Sequence, residues 1–162
     1  MIQDVVIPEA ILVGKVAVAM VLAGIIGFER ETDGKAAGFR THMLVGGAAA
    51  LLVGSADLLI DRFGADAGNA MRTDPIRVVE AIVAGVSFLG AGTIFVSGQD
   101  RVRGLTTAAS LLMVAGVGVI VAVEAWIVAL SVTLLTLFTL HVLGLSLILL
   151  SEPTRQAEIS YA

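Results

Sequence analysis

The stretch from Ala84 to Ser110, AGVSFLGAGTIFVSGQDRVRGLTTAAS, contains two apolar runs separated by a short charged segment. The charged segment carries Asp100, Arg101 and Arg103, and Gly104 precedes the second run. Small residues let membrane helices approach each other closely, and the bilayer core leaves no water for unpaired backbone groups. The stretch therefore predicts two packed membrane helices joined by a charged hinge. The glycines expected to pack against other helices are Gly85, Gly90, Gly92 and Gly104.

The composition assigns the chain to the membrane. It has 162 residues, of which 57% are hydrophobic, and a mean hydropathy of +0.98. Soluble domains are usually about 45–50% apolar. The chain contains no cysteine, which excludes disulfides, thiol nucleophiles and thiolate metal sites. Asp4 and Glu9 stand where a signal peptide would carry basic residues, so the first apolar run is predicted to be a retained span.

The predicted fold class is all-α, a polytopic membrane protein with five transmembrane helices. Each apolar run has about 20 residues, which is enough to cross a bilayer core of about 30 Å. Pro8 and Pro75 suit first helical turns, and Asp74 can cap the third helix. Residues 1–150 would form the transmembrane domain and 151–162 a short polar cytoplasmic tail. The predicted spans are 8–28, 41–60, 74–96, 105–123 and 126–150.

The basic residues predict the orientation. Cytoplasmic loops carry an excess of Lys and Arg, which favours an outer N-terminus and an inner C-terminus. In that topology the formal net charge of -4 lies entirely on the outer side. Such an excess of acids would attract cations, but outer loops that simply avoid Lys and Arg would look the same. The predicted inner bases are Arg30, Lys35, Arg40, Arg101, Arg103 and Arg155.

The outer cluster is a set of polar residues predicted near the outer side: Lys15, Asp57, Asp61, Glu80 and Ser87. Charges inside a span are costly and usually face protein or water. Lys15 and Glu80 are expected at similar depth, so an ion pair between them is one interpretation, with Asp57 and Asp61 close by. The alternative is that both side chains extend to the headgroups.

The third predicted span carries Glu80, Ala84, Ser87 and Ala91 at spacings that place them on one helical face. With small residues on the adjoining face as well, this helix is expected at the centre of the bundle. The polar stripe is interpreted either as ordinary packing or as part of a conduction path.

The inner cluster is a second set of polar residues, predicted at the cytoplasmic ends of the first, second and fourth spans. Thr41, Thr106 and Thr107 are expected to cap helices. The arginines could pin the helix ends together through Glu29 or Glu31, or the same donors could hold a phosphate or carboxylate. The members are Glu29, Arg30, Glu31, Arg40, Thr41, His42, Arg103, Thr106 and Thr107.

Enzymatic motifs are missing from the sequence. It contains no GxxxxGK phosphate loop and no HExxH pair, and Ser87 does not lie in a G-x-S-x-G elbow. We therefore expect no enzyme activity and no cofactor, with Mg²⁺ as the one ion to consider.

Several motifs together resemble the MgtC/SapB family of bacterial inner-membrane proteins. They occur in the family's order between about Gly14 and Val123. The matching segments are Gly27-Phe28-Glu29-Arg30-Glu31, Gly38-Phe39-Arg40-Thr41-His42-Met43-Leu44, Asp74-Pro75 with Arg77, Phe88-Leu89-Gly90-Ala91-Gly92-Thr93-Ile94 and Val102-Arg103-Gly104-Leu105-Thr106-Thr107-Ala108-Ala109.

The resemblance implies a multi-helix protein of the bacterial inner membrane with a role in growth at low magnesium. Some members are thought to restrain the F-type ATP synthase. The short C-terminus and the residues Glu80, Ala81 and Ser87 depart from the virulence-associated type and fit the shorter, SapB-like members.

The leading hypothesis is a regulatory or binding protein in magnesium or envelope homeostasis. The alternative is a Mg²⁺ channel or transporter that uses the outer acids and Glu80. The expected partners are membrane lipid, a second copy of the chain, or another membrane protein such as ATP synthase or a magnesium transporter, and not nucleic acid.

Overall fold

Helices account for most of the structure, a computed structural model that describes the backbone of residues 2–67, 74–97 and 101–151. Side chains are described within residues 6–60, 74–94 and 102–142. Residues 152–162 of the predicted tail, Asp100, and the side chains of Asp61 and Arg101 lie outside these ranges. In the described part, the elements are α1 (Ile2–Thr32), α2 (Phe39–Ala67), α3 (Pro75–Thr93), β1 (Phe95–Ser97), β2 (Arg101–Arg103), α4 (Leu105–Ala122) and α5 (Trp126–Ser151).

Four helical segments are long and apolar enough to cross a membrane, which makes the chain a multi-pass membrane protein. These segments are Val6–Thr32, Phe39–Ile60, Pro75–Thr93 and Leu105–Ala122. In α5, the apolar segment with described side chains, Trp126–Val142, is shorter. A fifth crossing and the orientation of the termini therefore stay predictions.

The start of α3 confirms the predicted capping. Asp74 is the N-cap, its carboxylate accepts a hydrogen bond from the Ile76 N–H at 3.0 Å, and Pro75 is the first helical residue. Pro8 behaves differently, because α1 already begins at Ile2 and places this proline inside the helix rather than in its first turn.

The predicted charged hinge is an antiparallel β-hairpin. Helix α3 ends at Thr93 instead of reaching Val96, and Phe95 in β1 pairs with Arg103 in β2. The prediction of a helix to Val96 was wrong because an apolar, β-branched segment suits a strand once a partner strand lies beside it. The hairpin brings the end of α3 to the start of α4.

The centre of the bundle is α4 and not α3. Nine of the 18 residues of α4 are buried, whereas α3 buries three of its 19, namely Ile82, Val86 and Gly90. The core lies between α1, α2 and α4 and consists mainly of alanine and valine side chains. Fully buried examples are Ala19, Ala23, Ile26, Ala50, Val114 and Val121.

Two glycines explain why α2 and α4 pack so closely. A Cβ atom at Gly118 in α4 would overlap the carbonyl oxygen of Gly46 in α2. A Cβ atom at Gly46 would lie 3.4 Å from the Val114 carbonyl oxygen in α4 and 2.6 Å from the Ala23 Cβ in α1. Such close backbone contact is typical of small residues at membrane helix interfaces. Helix α5 lies at the periphery, as its leucine-rich sequence predicts, with Ile127, Leu134, Leu135 and Phe138 exposed.

Candidate functional site

Four elements meet at one end of the bundle: the end of α1, the start of α2, the β-hairpin and the start of α4. We call this the pocket end. It carries the inner cluster, and the sequence predicts that it faces the cytoplasm.

Arg30 is buried at the pocket end although it carries a charge. Only 3% of the residue is exposed, and its Nη1 atom lies 3.6 Å from Oε2 of Glu29. Arg30 Nε and Glu29 Oε2 are both buried and have no hydrogen-bond partner. Buried polar groups are normally hydrogen-bonded, so these two atoms indicate a place for water, an ion or a ligand.

His42 is fully buried and connects α2 to α4. Its Nδ1 lies 2.9 Å from the Gly38 carbonyl oxygen, which can only accept, so Nδ1 donates. Its Nε2 lies 3.0 Å from Ser110 Oγ, and that hydroxyl also lies 2.8 Å from the Thr107 carbonyl oxygen. The Ser110 hydroxyl donates to the Thr107 carbonyl oxygen, and the contact between His42 and Ser110 joins α2 to α4.

Glu31, and not a threonine, caps α2. Its Oε2 accepts a hydrogen bond from the Phe39 N–H at 2.7 Å, which joins the end of α1 to the start of α2. The predicted threonine caps were wrong: Thr41 follows the first residues of α2, and α4 has Gly104 as its N-cap without a side-chain bond. Arg40 and Thr41 are exposed.

A cavity of about 530 Å³ opens between the α1–α2 loop and the start of α4. We call it the basic pocket, because it is lined by Arg30, Lys35 and Arg103, and by Thr106 and Thr107 of the inner cluster. Sequence reasoning included four of these five residues as site candidates. It used Lys35 only to predict orientation, since a lysine in a loop next to a helix end carries no signal of its own.

The structure does not show the ion pairs by which the inner arginines would join the helix ends through Glu29 or Glu31. Arg30 contacts its neighbour Glu29, while Arg40 and Arg103 form no ion pair with any described residue. The helix ends are joined instead by Glu31 and His42.

At the opposite end of the bundle, Lys15 pairs with Glu124 and not with Glu80. Lys15 Nζ lies 2.8 Å from Glu124 Oε1 and donates to the Ala122 carbonyl oxygen at 3.0 Å. The interpretation in which Lys15 pairs with Glu80 was wrong, because equal depth does not determine how each helix is rotated. Lys15 satisfies the C-terminal end of α4, where a positive charge is favourable.

Of the other outer-cluster members with described side chains, Asp57 lies near Lys15, whereas Glu80 and Ser87 lie on another face of the bundle. Asp57 is exposed but lines the same shallow cavity, of about 190 Å³, as Lys15. Glu80 and Ser87 are exposed on the outward face of α3, together with Ala84 and Ala91. Within the described ranges, no group of three or more His, Asp or Glu residues gathers as a metal site would require.

The predicted packing glycines divide into two pairs. Gly90 packs against Ala108, and Gly104 lies against the end of α3. A Cβ atom at Gly85 or Gly92 would have no described atom within 4 Å, so in the described part of the chain these two glycines show no close packing.

The fold and the pocket end define a class, a polytopic helical membrane protein with a buried polar cluster at one end. Comparison with known sequences then identifies the family. The model of the MgtC family matches residues 16–146, and the chain belongs to this family. No solved structure matches the chain.

Three relatives illustrate the similarity. YhiD from Escherichia coli (strain K12) is 37% identical over 134 residues, which cover 79% of this chain and 58% of YhiD. SrpB from Synechococcus elongatus is 35% identical over 133 residues, 78% of this chain and 71% of SrpB. MgtC from Brucella abortus (strain 2308) is 44% identical over 102 residues, 63% of this chain and 38% of MgtC. The chain thus spans little more than half of YhiD.

Proposed function

We propose that this chain acts as a regulatory or binding protein of the inner membrane in magnesium and envelope homeostasis, and that it acts through the pocket end. Family membership supports the link to magnesium homeostasis. The more specific role is supported by the buried guanidinium of Arg30, whose Nε is a buried donor that lacks a hydrogen-bond partner among the described residues.

Burying a charge without full compensation is expensive. A structural role for Arg30 alone would be fulfilled at lower cost by an apolar side chain of similar volume. Arg30 instead reaches a cavity that already holds two further basic side chains. The arrangement is suited to bind an anionic group of a lipid or of a neighbouring membrane protein.

A second candidate function is transport of Mg²⁺. It is favoured by the name of YhiD, which proposes magnesium transport, and by the acids predicted on the outer side. The polar stripe of Glu80 and Ser87, however, faces away from the other helices of the chain. A path along this stripe would need a second copy of the chain to enclose it.

Magnesium flux separates the two functions. Purified protein is reconstituted into liposomes that enclose a Mg²⁺-sensitive dye, beside empty liposomes and the Glu80→Gln variant. Insertion and folding are checked by protease protection and circular dichroism. We expect uptake no faster than in empty liposomes. Saturable uptake that Glu80→Gln reduces would overturn the proposal and support the transporter.

A further inference from the structure

Three basic side chains border the same cavity at the pocket end. Arg30 comes from the end of α1, Lys35 from the loop that follows, and Arg103 from β2. None of the described residues that line the pocket is acidic, and Glu29 pairs with Arg30 beside it. The charged side chains that line the pocket are therefore all basic, which favours an anion.

The start of α4 adds backbone donors to this wall. Leu105, Thr106 and Thr107 are the first helical residues and line the pocket. Helix geometry leaves the first N–H groups without an intrahelical acceptor, and the N-cap Gly104 has no side chain that could satisfy them. The helix dipole makes this end favourable for negative charge.

Arg30 gives an independent indication of a ligand. The residue lines the pocket, and only 3% of it is exposed. Its Nε has no hydrogen-bond partner. A guanidinium offers donors in a fixed fork that matches the oxygens of a phosphate or carboxylate. An oxyanion in the pocket would lie beside this guanidinium and offset the cost of burying its charge.

A second cavity indicates what the anion is attached to. A groove of about 260 Å³ runs between α4 and α5. Its surface is mainly apolar, although four of its eight lining residues are serine or threonine; the other four are Ala109, Met113, Leu135 and Leu140. Thr106 lines both this groove and the basic pocket. The two cavities therefore adjoin, a polar one at the helix start and an apolar one along the helix.

We infer that the basic pocket binds a phosphate group, held by Arg30, Lys35, Arg103 and the N–H groups at the start of α4. The adjoining groove favours the phosphate of an anionic phospholipid, whose acyl chain would lie between α4 and α5. Free inorganic phosphate is the other source of the same chemistry. This inference rests on the proposed function in placing the activity at the pocket end.

Calorimetric titration of the full chain in an uncharged detergent tests the inference. Three probes are used: inorganic phosphate, dioctanoyl phosphatidylglycerol and dioctanoyl phosphatidylcholine. Arg103→Gln is the informative variant, because Arg103 is exposed and its replacement removes no buried contact. Arg40→Gln is the matched control, since Arg40 is an exposed arginine at the same end outside the pocket.

We expect phosphatidylglycerol to bind more tightly than phosphatidylcholine. Arg103→Gln should weaken the binding of phosphatidylglycerol about tenfold or more, because it removes one charge-assisted hydrogen bond. Arg40→Gln should leave the affinity within about twofold, as a charge screened from the site would. Inorganic phosphate that binds with the same dependence on Arg103 also supports the site and identifies free phosphate as the source.

Two results would overturn the inference. One is that neither phosphate nor phosphatidylglycerol binds. The other is that Arg103→Gln and Arg40→Gln weaken binding equally, which would indicate a general attraction of the basic surface. Either result leaves the flux experiment, and with it the proposed regulatory function, to be judged separately.

Discussion

Replacing Gly104 with alanine should strongly destabilise the pocket end. Gly104 is the N-cap of α4 and has φ 92° and ψ -7°, in the left-handed region that favours glycine. An added Cβ would overlap the Thr93 carbonyl oxygen, lie 2.7 Å from the carbon of that carbonyl and lie 3.1 Å from the Ile94 Cα. All three are backbone atoms, so no side-chain rotation can relieve the collision.

The magnitude has two parts. Left-handed backbone at a residue with a Cβ atom lowers the stability by about 1–2 kcal/mol. Insertion of a methyl group into a packed contact costs about 1–3 kcal/mol, and the backbone collision argues for the upper part of that range. We therefore expect Gly104→Ala to lower the free energy of unfolding by about 3–4 kcal/mol.

Gly34 provides the matched control. It also has a positive φ, of 64°, but a Cβ there would meet no atom within 4 Å. Gly34→Ala should therefore cost only the backbone part, about 1 kcal/mol. Both glycines line the basic pocket, so the difference between the variants isolates the contact between the end of α3 and the start of α4.

The assay is denaturant unfolding of the detergent-solubilised protein, followed by circular dichroism and by the fluorescence of Trp126, the sole tryptophan. The midpoint should fall much further for Gly104→Ala than for Gly34→Ala. Equal shifts would refute the reasoning, because they would mean that α3 does not approach Gly104 as the structure describes.

Two further predictions concern contacts between helices, and the same unfolding assay checks both. Gly118→Ala should lower the free energy of unfolding by about 1–2 kcal/mol, because overlap with the Gly46 carbonyl outweighs the gain in helix propensity. Gly116 faces open space, so Gly116→Ala should raise the free energy of unfolding by up to about 1 kcal/mol. Equal effects of the two alanines would contradict the close contact of α2 with α4. Lys15→Met should lower the free energy of unfolding by about 1.5–3 kcal/mol, because it removes both the ion pair and the hydrogen bond to the Ala122 carbonyl at the end of α4. Glu124→Gln removes only the ion pair and should lower it by less than about 1 kcal/mol. A Glu124→Gln variant that destabilises as much as Lys15→Met would show that the ion pair, and not the carbonyl bond, dominates.

The helices could be predicted from sequence because their signals are local. Hydropathy marks each apolar run, and the Asp74-Pro75 pair marks the start of α3 within a residue. The hairpin could not be predicted in this way, because Phe95 pairs with Arg103, eight positions away, and hydropathy does not distinguish an apolar strand from the last turn of a helix.

The side-chain contacts depend on helix rotation, which no local signal determines. Lys15 and Glu80 both lie within apolar runs, as the sequence shows. In the structure, however, α3 is rotated so that Glu80 faces outward, and Lys15 pairs with Glu124 in the α4–α5 turn. The choice of α3 as the central helix failed for the same reason, since small residues permit close packing without specifying a partner.

The pocket end was more accessible to sequence reasoning than the opposite end. Hydropathy already marks the helix ends next to which four of the pocket residues lie, namely Arg30, Arg103, Thr106 and Thr107. These residues come together because the helix ends do. The burial of Arg30 and the bond from His42 to Ser110 required the packed structure, because both depend on how closely α1, α2 and α4 approach.

The central claim is that the protein acts through its pocket end. Growth at limiting magnesium tests it most directly, in a bacterial strain that needs this protein under that condition and produces each variant at equal membrane abundance. The account predicts that Arg103→Gln fails to support growth, while Glu80→Gln and Arg40→Gln support it as the unmodified chain does. Growth that survives Arg103→Gln and is lost in Glu80→Gln would contradict the account and place the function on the outer face of α3.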